Sequence, residues 1–287
     1  MTELYEKSLQ KLELDIVLQR LADCAGSADG KAACLRLLPS SNLDTVLELL
    51  EQTSAAADLC TRKGNPGFTE AKDVSASLER ADLGGCLQPK ELLSIASLLR
   101  CARTVKSYVS DDDKSTVLDN LFHTLSANKY LEDRIFGAIL SEEEIADNAS
   151  PELMDIRRHK RIQSAKIKDS LQKIISSPSY AKYLREPIIT IRQGRYVVPV
   201  KSECKNEVPG LVHDVSSTGS TYFVEPMSAV NANNELRELE LQEKKEIERI
   251  LSELSAEAAA HRESITDDYH ILIQLDVIFA KAKLAYR

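Results

Sequence analysis

The chain has 287 residues, 43% of them hydrophobic and 29% charged, with a formal net charge of −8. That length and apolar content suffice for a real core in one or two domains. Only 10 Gly and 9 Pro argue against an all-β protein, so helix is the expected majority. The uninterrupted apolar runs fall far short of the roughly 20 residues needed to cross a bilayer. The opening MTELYEKSLQKLELDI mixes charge into its apolar face from the start, unlike a signal peptide. A soluble, cytoplasmic protein without membrane partners is the expectation. Six cysteines and five histidines are dispersed. No CxxC or metal-ligand spacing occurs among them, so structural thiols and no metal site are expected.

In chain order, residues 1–150 read as several helices joined by short turns, a helical core domain. Leu9, Leu12, Ile16 and Leu21 make one apolar stripe at helical spacing, ended by Cys24-Ala25-Gly26. A second pattern runs from Ala32 to Leu38 and stops at Pro39. Ser41 offers an N-cap for a helix carrying Leu43, Val46, Leu47 and Leu50. Loops at residues 63–67 and 83–85 precede a helix starting near Pro89, with Leu92, Leu93, Ala96 and Leu99 on its buried face. Asp111-Asp112-Asp113 reads as a solvated turn, and further helix is expected through Leu140.

Ser150-Pro151 opens the next element, with Ser at the N-cap and Pro at the first helical position. This helix runs through Leu153, Ile156, Ile162, Ile167, Leu171 and Ile174 and stops before Pro178, so 151–186 reads as an outgoing lever. Residues 187–226 are the one stretch where apolar and polar residues alternate at a period of two. Ile189 and Ile191 lead to a reversal at Gln193-Gly194 and a return through residues 196–200. Pro199 cannot donate to a ladder, which places its strand at an edge or a bulge. Two more strands, 211–215 and 221–225, flank a Ser/Thr/Gly hairpin tip, giving an expected four-stranded meander. From Met227 to Arg287 there is neither Gly nor Pro. Apolar residues recurring at threes and fours, with His261 among them, predict one long returning helix over 227–287. Its last residues carry no stop signal, so the natural chain is expected to continue. The fold class is mainly α: a helical core and long antiparallel lever helices carrying a small antiparallel β clamp.

Charge is unevenly placed. Between Asp155 and Lys205 there are 13 Lys and Arg against four acids, leaving −17 on the remainder. Such polarity concentrates positive potential where a polyanion would feel it. The expected nucleic-acid-binding residues are Arg157, Arg158, Lys160 and Arg161 on the helix, and Arg192, Arg195, Lys201 and Lys205 near the turns. Phosphate contacts need charge and reach rather than base-edge geometry. Tyr196 and Tyr222 are candidates for stacking on bases or, more ordinarily, for packing on the strand face. No nucleophile–base pair or acid pair stands at a recognisable spacing, so no catalytic residue is assigned. The alternative is a structural or protein-interaction helical module whose basic zone is a solvated surface.

The segments EPIITIRQGRYVVPVKSE, VPGLVHDVSSTGSTYFVEP, NNELRELELQEKKEIERIL and LDVIFAKAKLA closely resemble the second bacterial branch of MutS-type ATPases, which lacks the mismatch-reading domains. ASPELMDIRR and SPSYAKYLREPI fit it too, and the resemblance extends over essentially the whole chain. It implies a helical core, a lever and a reduced β-rich clamp. In full-length members an ATPase follows, using ATP and Mg, and a nuclease domain usually closes the chain. This chain has no GxxxxGK[ST], so neither cofactor nor strand cleavage is assigned to it. Full-length members are homodimers that bind branched DNA and suppress recombination, and they also act on collided ribosomes. Branched DNA or ribosomal RNA is therefore the partner that the resemblance implies.

Overall fold

The structure is a computed structural model that describes residues 7–9, 11–109 and 115–286, so the Asp111–Asp113 turn lies outside the described residues. It is mainly helical, as the periodicities predict, with two small antiparallel sheets, only one of which the alternation over 187–226 announced. The chain divides into two compact units, Met1–Ala146 with Leu251–Arg287, and Asp147–Ile250.

The first unit contains α1 (Leu14–Ala22), α2 (Ala28–Leu35), α3 (Leu43–Lys63), α4 (Ser75–Asp82), α5 (Pro89–Lys106), α6 (Asp119–Thr124) and α7 (Lys129–Ala138). These assemble with α11 (Arg262–Ala285), whose residues from Leu275 to Ala280 are all buried. Phe279 is fully buried, with Phe68, Tyr108 and Phe122 rings 5.9, 5.9 and 6.3 Å from its own. Helix α5 starts at Pro89 as predicted, with a capping box between Gln88 and Glu91. The cap of α3 is Asn42 and not Ser41: its side chain accepts from the Thr45 N–H at 3.1 Å. Helix α7 stops at Ala138, short of the predicted Leu140. Ile139–Ser141 (β1) instead pairs with Glu144–Ile145 (β2) in a small hairpin. The expected stripe of α1 is only half buried, for Leu21 is inside while Leu12 and Ile16 are exposed.

Two carboxylates on α11 are withdrawn from water. Asp276 is fully buried and accepts from the Gly26 N–H (2.8 Å), the Ser27 N–H (2.8 Å) and the Ser27 hydroxyl (2.7 Å). Ser27 Oγ in turn accepts from the Gly30 N–H and caps α2. Asp268 is treated less well: Oδ1 accepts from the Ser126 N–H at 2.6 Å, and Oδ2 has no partner among the described residues. Burial pushes its carboxyl up to about 6, against the opposing pull of Ser126 and Lys106. Between the ordinary value and about 6, the folded chain keeps a proton that the unfolded chain has released. Stability therefore falls as pH rises through that window and stays lower above it. Asp268→Asn removes the buried charge and is expected to raise the Tm at pH 7.5 by about 3–6 °C, and by less at pH 5. Equal melting at pH 7.5 would contradict this reading. Burial likewise pushes the Cys101 thiol up to about 12 and the Cys34 thiol to about 11, as expected of structural cysteines.

The second unit holds α8 (Pro151–Ile175), a short α9 (Pro178–Ala181), four strands and the part of α10 (Met227–Ala260) up to Ile250. Helix α8 begins as read from the sequence: Ser150 Oγ accepts from the Leu153 N–H at 3.0 Å. The strands are β3 (Thr190–Arg192), β4 (Arg195–Lys201), β5 (Gly210–Val215) and β6 (Thr221–Pro226). Their order is β3-β4-β6-β5, so they do not form the expected meander. The chain after β4 passes outside to make β5, and β6 returns between them. Gln193 and Gly194 have φ of 49° and 76°, both positive as a two-residue primed hairpin turn requires.

Pro199 lies in an interior strand, not at an edge. Its carbonyl accepts from the Arg185 N–H, and the Lys201 N–H donates to Tyr183, both on the flank that faces β3. The ladder with β3 ends at Val197, and an isolated bridge joins Leu184 to Val200. The missing Pro N–H falls in the gap between them, where no partner is lost. Val197, Val198 and Val200 are fully buried. Val198 and Val200 share a core with Ile167, Leu171 and Ile175 of α8, Val224 of β6, and Ala229 and Leu236 of α10. The predicted single helix over 227–287 is interrupted at His261, which leaves helical geometry (φ −107°, ψ 14°) without any Gly or Pro to announce it.

Candidate nucleic-acid interface

The 147–250 unit is organised around one buried carboxylate. Glu225 of β6 is fully buried and accepts from Arg195 Nη1 at 2.8 and 3.1 Å and from Asn233 Nδ2 at 2.8 Å, and it bonds His213. A bulge between Val212 and Asp214 in β5 turns that histidine toward it. Asn233 Oδ1 accepts from the Tyr196 N–H, while its amide donates to the Tyr196 carbonyl. Arg195 Nη2 also donates to Asn234 at 2.6 Å. The β3–β4 hairpin is thus fastened to the first turns of α10 through β6, the strand that runs directly into that helix. Sequence reasoning missed Glu225 and Asn233. The available signal was a lone acid ending the apolar run TYFV and an Asn pair opening a helix.

That network decides the fate of the predicted site residues. Arg195 faces Glu225 and Asn234, so its charge is met within the fold. Arg192 stacks on the Phe223 ring (4.2 Å) and approaches Asp214 at 3.4 Å. On α8, Arg157 bridges Asp147 (2.6 Å) and Glu243 (2.7 Å), Lys160 shares Glu243, and Arg161 reaches Asp147 at 3.2 Å. Burial opposes ionisation of Glu243, but the bonds from Lys160 and Arg157 outweigh it and hold its carboxyl below the usual range. Five of the eight expected contacts therefore have carboxylate partners, a pairing that residue counting could not see. Arg158, Lys201 and Lys205 have none among the described residues. The same holds for Lys166, Lys168 and Lys173 on α8 and for Lys182 and Arg185 beyond it.

Four of these cations gather around the end of β4. Lys201 Nζ donates to the Lys182 carbonyl at 2.9 Å, and the Arg185 N–H bonds Pro199 at the same distance. Lys205 Nζ lies 5.5 Å from the centroid of the Tyr222 ring, in the strand paired with Val200. Glu203 stands among them: a backbone hydrogen bond first, then Ser202 and the fields of Lys201 and Arg185, hold its carboxyl below the usual range. Tyr222 is half buried against the core beside them.

A groove runs along one face of α8. A cavity of about 470 Å³ is lined by Arg157, Lys160, Arg161, Lys168, Tyr196 and Glu243. An adjoining one of about 680 Å³ shares Lys168 and Tyr196 and adds Gln172, Ile189, Thr190 and Ile191. Lys168 Nζ lies 5.8 Å from the Tyr196 ring centroid.

A mainly helical chain with a small antiparallel β subdomain is what the sequence resemblance implies for a MutS-type protein. Comparison with known proteins bears that class out: the chain is a MutS-type family member. It is 45% identical over 284 residues to the Endonuclease MutS2 of Acetivibrio thermocellus. The proteins of the same name from Ruminiclostridium cellulolyticum and Clostridioides difficile are 43% and 42% identical over comparable lengths. Each match covers 98% of this chain and 36% of the relative, so the chain spans about a third of the length of these curated proteins. No family model matches the chain. Among the described residues no helix is long and apolar enough to cross a membrane.

Proposed function

We propose that residues 147–250 hold nucleic acid by its phosphates, as the binding module of a MutS2-type protein whose cleavage and ATP chemistry, with its Mg, reside outside this segment. The observation that carries the reading is the convergence of Lys182, Arg185, Lys201 and Lys205 at one end of β4. Among the described residues none of the four has a carboxylate within 4 Å, whereas Arg157, Lys160, Arg161, Arg192 and Arg195 of the same unit are paired. An unpaired cluster on an acidic chain is suited to a polyanion and of little use to the fold. Because these contacts reach phosphate, the ligand is recognised by shape and charge. A branched DNA and a folded ribosomal RNA both meet that description. Suppression of recombination and rescue of collided ribosomes, carried out in the cytoplasm by a homodimer of the whole protein, are the roles such binding would serve.

A gel-shift titration with four-way-junction DNA and with a structured RNA tests the reading. The triple substitution Lys182→Glu, Lys201→Glu, Lys205→Glu is expected to weaken binding of either ligand at least tenfold with the fold intact. Unchanged affinity would count against it.

A second reading, a protein-interaction module, has its own observation. The first half of α3 carries Leu43, Leu47 and Leu50 at 69%, 55% and 58% exposure. Sedimentation as a stable oligomer with no affinity for either polyanion would favour it.

A further inference from the structure

The two adjoining cavities on α8 differ in chemistry, and the difference fits the two halves of a nucleotide. Four cations and one carboxylate line the first cavity. Arg157 and Lys160 are tied to Glu243, Arg161 reaches Asp147, and Lys168 has no carboxylate partner among the described residues. The second cavity is walled by Ile189, Ile191 and the Tyr196 ring, with Thr190 and Gln172 supplying hydrogen-bonding groups; Asp169 also borders it. Lys168 stands at the boundary of both. Residues 157, 161, 164, 168 and 172 recur at threes and fours, which sets them along one helical face. The backbone that carries the ring is held in advance: Asn233 grips the N–H and carbonyl of Tyr196 and is itself held by buried Glu225. A platform fixed this way loses little freedom on binding.

We propose that this groove takes one unpaired nucleotide of a nucleic-acid strand, its phosphate beside Lys168 and Arg161 and its base in the Ile189–Ile191–Tyr196 slot. The proposal rests on the phosphate-binding reading above and adds a preference to it. Bases in an intact duplex are stacked inside and cannot enter the slot, whereas bases at a junction, bulge or single strand can. The clustered lysines at the end of β4 bind paired and unpaired strands alike, and the groove distinguishes them.

Fluorescence anisotropy on the whole chain separates the two claims, with a labelled 16-nucleotide oligo-dT, a 16-base-pair duplex and thymidine monophosphate as competitor. The single strand is expected to bind more tightly than the duplex. Tyr196→Leu should weaken it by roughly 5- to 150-fold, the range that base–aromatic stacking gives, while Tyr196→Phe keeps most of the affinity. Lys168→Ala, at an exposed helical position, should weaken the single strand and change the duplex less than twofold, which covers the case where Tyr196→Leu does not fold. Equal affinity for strand and duplex, or indifference of the strand to both Tyr196→Leu and Lys168→Ala, would overturn the groove site and leave the phosphate-binding reading standing. Binding of neither nucleic acid would overturn both. Thymidine monophosphate binding more tightly than the strand, and losing that affinity in Tyr196→Leu, would overturn the strand as occupant in favour of a free nucleotide.

Discussion

Glu225→Ala is expected to destabilise the 147–250 unit by about 2–4 kcal/mol, a large effect for one side chain. Removing the carboxylate strands Arg195 and His213 and takes one of the acceptors from Asn233, all of which converge on it inside the sheet. Breaking a buried charge pair by deleting one partner costs about 3–5 kcal/mol where the other is left fully buried. Arg195 is still 25% exposed and can recover some hydration, which places the expectation somewhat lower. Amide hydrogen exchange is the sharper readout, because it reports opening segment by segment where a single unfolding free energy need not describe a chain of two compact units. Protection at Val198, Val200 and Val224 should fall together, with amides around Phe279 unaffected. Glu225→Gln keeps an acceptor for Asn233 and Arg195 and should fall between. Parent-like protection in the alanine variant would mean that the network is incidental to the sheet.

The other large effect belongs to the first unit. Asp276→Ala removes the acceptor of three donors, the N–H of exposed Gly26 and the buried N–H and hydroxyl of Ser27. Each stranded donor costs about 1–3 kcal/mol, and partial rearrangement of the loop brings the expected total to about 3–5 kcal/mol. The geometry is tight enough to be tested from the other side. A Cβ on Gly30 would lie 2.1 Å from Asp276 Oδ2, so Gly30→Ala must displace the same carboxylate. Urea denaturation followed by circular dichroism should show Gly30→Ala and Asp276→Ala to be less than additive, since both break one contact. Full additivity would show that the two residues act independently.

Local chemistry was legible where one short segment decides the outcome. Ser150-Pro151 and Pro89 start helices because capping and a fixed φ act within a single turn, and Gln193-Gly194 reverses the chain for the same kind of reason. The strand order was not legible, because turn residues say that the chain reverses but not which strand it returns beside. Ile139 and Leu140 continue a helical spacing yet sit in a hairpin, since pairing with Ile145 competes with one more turn of helix. The break at His261 has no Gly or Pro to mark it.

The site was legible as a charge excess and illegible as a list of contacts. Arg195 and Glu225 are thirty residues apart in sequence, and Lys160 and Glu243 are separated by still more, so a count over a window treats each cation as free. What remains after pairing is a smaller set, of which Lys201, Lys205 and Arg158 were expected and Lys182, Arg185 and Lys168 had only been counted.

Contact of Lys182, Lys201 and Lys205 with phosphate is the central expectation. The most direct measurement is the salt dependence of binding to a four-way junction, for the parent chain and for the triple Lys182→Glu, Lys201→Glu, Lys205→Glu variant. The logarithm of the binding constant should fall linearly with the logarithm of salt concentration, and the variant's slope should be shallower by about one per lysine removed. Binding that ignores salt, or identical slopes for the two proteins, would contradict it.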